Sequence, residues 1–464
     1  MPSVPDPLSL PPEEMRRLGY LVVDRIVDHI GELDALPPIR VGDARELRAA
    51  LGGPPPEAPG DADAALSALF EHVLPFVQLP DHPRFFARIG SPSNYVSVLA
   101  DLAAAGYNVF TGSWTGGSGP STVELVALDW LRELCGMPEG TEGVLTTGGS
   151  VATLVALAAA RTARFGERAP HEAVAYVSSE GHAAAPRALR VLGVPYRTLT
   201  AGPDCRLRAD DVRAAVEADR AAGRDPFCLV ATAGTTSTGA VDPLPALADL
   251  CAELGLWLHV DGAYGAPAVL TEPGRQALAG LERADSLVLD PHKWLFQPYE
   301  IGCVLVRDGT LLERTFALSG VYLRDTTGGE VNFRDRSVQL TRGGRALKLW
   351  LSIRVFGLAA FRDAIAHGIA LAEHAEAVLR AWAGWEVVSP AQLAVVCFRR
   401  EGDDARQTAI AAAMVADGFA APSTTEVGGR VVLRLCTINP RTTFADIERT
   451  IERMEAFSDM NDAV

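Results

Sequence analysis

The chain has 464 residues, of which 48% are hydrophobic and 22% charged, enough apolar material for a sizeable core and for two or three domains. A formal charge of −16 argues against nucleic acid or an anionic membrane as partner and fits an ordinary soluble enzyme. The seven cysteines (Cys135, Cys205, Cys228, Cys251, Cys303, Cys397, Cys436) are scattered without a CxxC pair, and no HExxH or His/Cys cluster occurs, so neither a disulfide framework nor a metal site is expected.

The N-terminal stretch "MPSVPDPLSLPPEEMRRLGY" has no apolar signal-like run, and no segment reads as long enough to span a membrane, so a cytoplasmic location is expected. In "PPEEMRRLGYLVVDRIVDHIGEL" the apolar residues recur at helical spacing behind two acids of the first turn, which predicts an amphipathic helix. "GGPPPEAPGDAD" follows as a linker by its Pro and Gly content. Residues 1–84 therefore read as an arm, too thin to bury a core alone, that packs on a neighbouring domain or subunit.

Residues 85–349 alternate helical patterns with short β-branched runs. The predicted strands are a short apolar run before Gly148, then "AVAYVS" (173–178), "FCLVATA" (227–233), "LWLHV" (256–260), "SLVLD" (286–290) and "CVLVR" (303–307). Continuously apolar strands between helices indicate an α/β fold whose mainly parallel sheet is covered on both faces, with ligands bound beyond the strands' carboxyl ends. Residues 350–464 begin with a long helix and continue through "LAVVCFR", "RVVLRLC" and a helix from Phe444, a small C-terminal α/β domain.

Within "SLVLDPHKWLF" an apolar run is followed almost at once by Lys293, although an unpaired ammonium is expensive to bury. Asp261 stands just past the preceding predicted strand, so a carboxylate and an amine would face one crevice. A cofactor that needs both is pyridoxal 5′-phosphate: the amine joins its aldehyde, and the acid keeps the ring nitrogen protonated. Taken singly, Lys293 fits an ion-paired or snorkelling lysine, and Asp261 a turn residue before Gly262. A phosphate cradle is offered where a strand gives way through Gly148, Gly149 and Ser150 to a long helix, whose N-terminus carries free N–H groups. Thr235 and Thr236 follow another strand and His182 a third; an imidazole there would lie flat on a pyridine ring or simply cap a helix.

Together these motifs resemble the group II pyridoxal-phosphate-dependent amino-acid decarboxylases, of the aromatic-L-amino-acid decarboxylase and aldehyde-synthase type. The resemblance runs from "HPRFFARIGSPSNYVSVLADL" through "SWTGGSGPSTVELVALDWL", "GGSVATLVALAAART", "VATAGTTSTGAVD", "HVDGAYG" and "DPHKW" to "RALKLWLSIRVFG". It implies fold type I, the aspartate-aminotransferase-like architecture, and a homodimer with a shared active site and the N-terminal arm wrapped over the partner. It also implies that Lys293 carries the cofactor, Asp261 faces the ring nitrogen and His182 stacks on the ring. Gly149, Ser150 and His292 would contact the phosphate, and Thr235 and Ala263 the cofactor's faces. The reaction implied is cleavage of the Cα–carboxylate bond of an L-amino acid or conjugate, with the resulting carbanion delocalised into the protonated ring.

The sequence departs from the family pattern in two places. Phe333 falls where the family's mobile loop carries the tyrosine that protonates Cα, and a phenyl ring has no proton to give. That departure raises the alternative of oxidative deamination to an aldehyde with O₂, unless Tyr322 or another residue donates. The substrate wall differs too, with Arg88-Ile89-Gly90 where aromatic-specific members carry aromatic residues. Arg88 would pair with a carboxylate or phosphate of the substrate, Trp114 would line its pocket, and a plain aromatic amino acid is not expected. Two further alternatives are β-elimination from a cysteine conjugate and a non-catalytic relative. An intact Lys293, Asp261 and His182 speak against the latter.

Overall fold

The computed structural model describes residues 6–318 and 330–461. Seven strands form the larger sheet: β1 (Glu142–Thr146), β2 (Ala173–Ser178), β3 (Tyr196–Leu199), β4 (Asp225–Thr232), β5 (Trp257–Asp261), β6 (Ser286–Leu289) and β7 (Gly302–Val306). Their spatial order is β1-β7-β6-β5-β4-β2-β3. The ladders from β3 across to β6 are parallel, while β7 runs antiparallel to both β6 and β1. Strands β2 and β6 are buried at every residue, which is why they read as unbroken apolar runs rather than alternations. With most strands parallel, the carboxyl ends of β2, β4, β5 and β6 open on one edge of the sheet, where the chain must leave in turns. Those turns carry the polar residues.

A second sheet is antiparallel, of β8 (Trp385–Gln392), β9 (Val395–Arg400), β10 (Ser423–Val427) and β11 (Arg430–Cys436), in the order β10-β11-β9-β8. The helix Ala346–Ala381 joins the two units. Its Leu349, Ile353, Phe361 and Ile365 enter the core of the large sheet, and its Leu371, Ala375 and Leu379 enter the core of the small one. Phe86 packs into that smaller core as well, and its N–H donates to the Ala421 carbonyl. The fold is the expected type I arrangement: a mainly parallel central sheet between helices, with a small α/β unit at its side.

Contrary to the sequence reading, one segment is long and apolar enough in composition to span a membrane, the helix Ala346–Ala381. Its apolar residues serve the two cores, and Gly357 breaks the helical path in its middle with φ 73° and ψ 156°. At the other end of the chain the helix Pro12–Gly31 forms as its periodicity predicts, with Glu13 and Glu14 in its first turn. None of its residues is buried. The Pro/Gly-rich stretch ends at Asp61, whose side chain accepts from the Ala64 N–H and caps the helix Ala62–His72.

Candidate active site

The sheet's carboxyl edge and the N-terminus of the helix Gly149–Phe165 enclose a cavity of about 540 Å³. Lys293, Asp261, His182, Gly149, Ser150, Ala263 and His292, all expected from the sequence, line it together. Lys293 follows β6 in a tight turn, closed by its own N–H on the Asp290 carbonyl at 2.9 Å. Its Nζ lies 2.9 Å from Oδ2 of Asp290, a carboxylate only 2% exposed. Burial by itself would lower the lysine's pKa. The charge and hydrogen bond of Asp290, followed by the charge of Asp261, outweigh this and hold it above the ordinary 10.5. The half-buried lysine is therefore an ion-paired ammonium.

Asp261 closes β5, and its Oδ1 accepts the Ala263 N–H at 3.1 Å. Two residues earlier on the same strand, His259 is wholly buried, and its Nδ1 is 2.8 Å from Ser286 Oγ, which also accepts from Trp257 Nε1. Burial pushes the His259 pKa down to about 4, so a neutral ring stands behind Asp261 at neutral pH. His292 accepts the Ile301 N–H on Nδ1, and its Nε2 is 3.7 Å from Asp290 Oδ2. Burial lowers its pKa against the pull of Asp290. His182 is exposed, in the turn after β2, with Nδ1 accepting from the Ala184 N–H.

The cradle is built from backbone. Gly148 has φ 132°, a conformation L side chains rarely adopt, and a Cβ there would lie 3.3 Å from Cε1 of His292. A Cβ on Gly149 would lie 2.8 Å from Asp290 Oδ2. Among the described residues no side chain caps this helix, so first-turn N–H groups are left for an anion. An amine, an acid across the cavity and an uncapped helix N-terminus with room for a phosphate are the donor set that pyridoxal 5′-phosphate requires. The residues fit that cofactor.

Four expected residues are not brought to this cavity within the chain. Thr235 is buried, and its hydroxyl is engaged with Thr238 Oγ1 at 2.9 Å and with the N–H groups of Thr238 and Ala240. Phe333 is fully buried in the large core, with Cζ of Arg342 4.9 Å from its ring centre. Arg88 is exposed and donates to Gln78 Oε1, and the Trp114 N–H donates to Asn332 Oδ1. Tyr322 lies outside the described residues. The sequence reading missed Asp290, Tyr299 and Glu300, which also line the cavity. An acid three residues before a lysine in an apolar run was the available signal for Asp290.

Residues 47–401 match the family described as "Pyridoxal-dependent decarboxylase conserved domain". The chain belongs to the pyridoxal-dependent decarboxylase family. Among curated relatives of this decarboxylase, the aromatic-L-amino-acid decarboxylase of Bacillus atrophaeus is 43% identical, with 97% of each chain covered. A phenylacetaldehyde synthase of Arabidopsis thaliana is 30% identical, with 92% of each covered. Among solved structures, the Oryza sativa TDC with PLP and tryptamine superposes with a TM-score of 0.92 at 28% identity, covering 97% of this chain and 99% of that one. The protein is thus a pyridoxal-phosphate-dependent carboxy-lyase that cleaves the Cα–carboxylate bond of an amino acid.

Proposed function

We propose that the enzyme decarboxylates an aromatic L-amino acid to its amine, with Lys293 as the residue that carries the cofactor. The observation that carries the reading is the cavity in which the Lys293 amine, the Asp261 carboxylate and the uncapped helix start at Gly149 face one another. When bound, the cofactor supplies an electron-accepting ring for the pair left behind as CO₂ departs. Asp261 holds the proton on the ring nitrogen, and its 7% exposure keeps water from screening that charge. Gly149 and Ser150 would hold the phosphate at the helix start, and His182, which lines the same cavity, would pack on the ring. The aromatic substrate is supported by the relatives' names, while Arg88, hydrogen-bonded to Gln78, gives no support within the chain for a charged one.

A second outcome, oxidation of the same carbanion to an aldehyde, is supported by relatives named phenylacetaldehyde synthase, while Phe333, buried away from the cavity, gives it no support within the chain. Nothing in the comparisons favours β-elimination over loss of CO₂. The deciding assay incubates the cofactor-loaded protein with aromatic, acidic and S-substituted amino acids and follows CO₂, ammonia and hydrogen peroxide together. CO₂ with amine and no peroxide is expected. Equal CO₂, ammonia and peroxide would establish the aldehyde, and ammonia without CO₂ would overturn the proposal.

The working unit is proposed to be a homodimer in the cytoplasm. The arm helix Pro12–Gly31 leaves Met15, Tyr20 and Val27 exposed, and Leu99, Leu102 and Tyr107 are exposed at and just beyond the helix Tyr95–Gly106, apolar area of the kind a partner covers. The seven cysteines are all buried free thiols, as suits a reducing compartment. Light scattering on the intact chain should give twice the monomer mass, and a chain lacking the arm should give the monomer.

A further inference from the structure

Asp290 is placed more tightly than an ion-pair partner requires. Its backbone N–H donates to the Ala263 carbonyl at 3.0 Å, which ties the start of the lysine turn to the end of β5. One carboxylate oxygen, Oδ2, takes the Lys293 ammonium, while Oδ1 is buried and has no hydrogen-bond partner among the described residues. The carboxylate fills the space that side chains at Gly149 and Gly302 would need, since a Cβ on either would come within 2.8 Å of one of its oxygens. A negative charge is therefore wedged between the reactive amine and the phosphate cradle. Beside a bound phosphate it is unfavourable, and once Nζ is committed to a carbon it has lost its ammonium. Its influence is greatest before the cofactor is attached.

We propose that Asp290 is a positioning residue that keeps Lys293 an ammonium in the cofactor-free protein and so sets the pH at which the cofactor is captured. The inference rests on the reading of Lys293 as the attachment residue. For capture, the ammonium gives one proton to solvent, and the freed Nζ pair forms a carbon–nitrogen bond to the cofactor's aldehyde carbon. The carbonyl oxygen then leaves as water with the two remaining amine protons. The other ionisable groups around Asp290 and Lys293 are His292, Tyr299 and Glu300 from the segment around the lysine, Asp261 from β5, His182 after β2 and Cys303 from β7. Burial holds the Cys303 thiol well above its ordinary pKa, so it stays neutral, and Asp261 adds to the hold on the ammonium. Asp290 remains the only one of these groups in direct contact with Nζ among the described residues.

The test mixes cofactor-free protein with pyridoxal 5′-phosphate between pH 6 and 10 and follows attachment by rapid-mixing absorbance. Wild type, Asp290→Asn and Lys293→Ala are compared, and borohydride fixation counts attached cofactor. Expressing each rate as a ratio to wild type cancels the cofactor's own titration. Removing the carboxylate should move the midpoint of the capture profile to lower pH by a unit or more, which is about a tenfold faster capture at pH 7 per unit moved. Superposed profiles, or a shift to higher pH, would overturn the proposal. Cofactor fixed at undiminished level in Lys293→Ala would instead refute the attachment residue, whatever Asp290 does. Should Asp290→Asn fail to fold, the wild type alone decides. After reductive ¹³C-methylation, the Lys293 resonance, told from that of Lys348, the chain's one other lysine, by its loss in Lys293→Ala, should titrate above the ordinary 10.5. Titration below that value would overturn the proposal.

Discussion

Replacing Gly149 by alanine would bring a methyl carbon 2.8 Å from Oδ2 and 3.3 Å from Cγ of Asp290. That carboxylate cannot step aside freely, because it is 2% exposed, holds Lys293 at 2.9 Å and is fixed at its backbone by Ala263. The helix must therefore shift by some tenths of an ångström at its first turn, where the free N–H groups meet the phosphate. Overpacking of this kind costs about 1–3 kcal/mol. If the strain falls on the cradle, cofactor affinity weakens by about 5- to 150-fold. The assay is a fluorescence titration of cofactor-free protein with pyridoxal 5′-phosphate. Gly119→Ala, an exposed helical glycine with no atom within 4 Å of the added carbon, serves as control. Equal affinities for the two variants would refute the placing of the phosphate at this helix start.

Other consequences follow from buried charges and from Phe333. Glu124 and Arg342 form an ion pair with both side chains at 0% exposure, and Glu124 also accepts the Leu145 N–H. Glu124→Gln should lower stability by about 3–5 kcal/mol in urea unfolding, since it strands a buried guanidinium; a loss under 1 kcal/mol would refute that. Phe333→Tyr puts a hydroxyl in a core site and should cost about 1–3 kcal/mol with the amine-to-aldehyde ratio unchanged. A changed ratio would mean that residue 333 reaches the reacting carbon. His259, with its pKa lowered from 6.5 to about 4, stays neutral in the folded chain and takes up a proton more readily when unfolded. Its contribution is complete above pH 6.5 and disappears as the pH falls towards 4, so the stability advantage of wild type over His259→Gln should shrink across that window by about 2–3 kcal/mol. Asp242, raised to about 6 by burial, acts in the opposite sense over nearly the same range, so Asp242→Asn should make the loss on acidification steeper.

The residues legible from sequence are those whose chemistry is local to a strand end. "SLVLDPHKWLF" and "LWLHVDGAYG" each join an apolar strand to a reactive side chain, and parallel strands bring both ends to one edge. The strand Tyr196–Leu199 escaped notice because it is a four-residue edge strand with Arg197 and Thr198 exposed, which leaves little apolar signal. The placing of Thr235 depends on which way a turn hydroxyl points, and here the 235–240 turn claims it. Phe333 was read from alignment to a loop, but its surroundings are set by Arg342 and by the turn at Gly112, whose carbonyl accepts the Arg334 N–H. Such long-range contacts leave no periodic trace. Asp290 was visible as a letter and invisible as a contact, because i,i+3 proximity to Lys293 becomes an ion pair only once the turn after β6 is known.

The most direct test of the account is to load the protein with pyridoxal 5′-phosphate, reduce it with borohydride, digest it and map the modified peptide by mass. The account predicts one phosphopyridoxyl group per chain, on Lys293 in the peptide containing Asp290-Pro291-His292-Lys293-Trp294. Label on Lys348, the chain's one other lysine, which instead pairs with Asp101, or on the N-terminal amine, would contradict it.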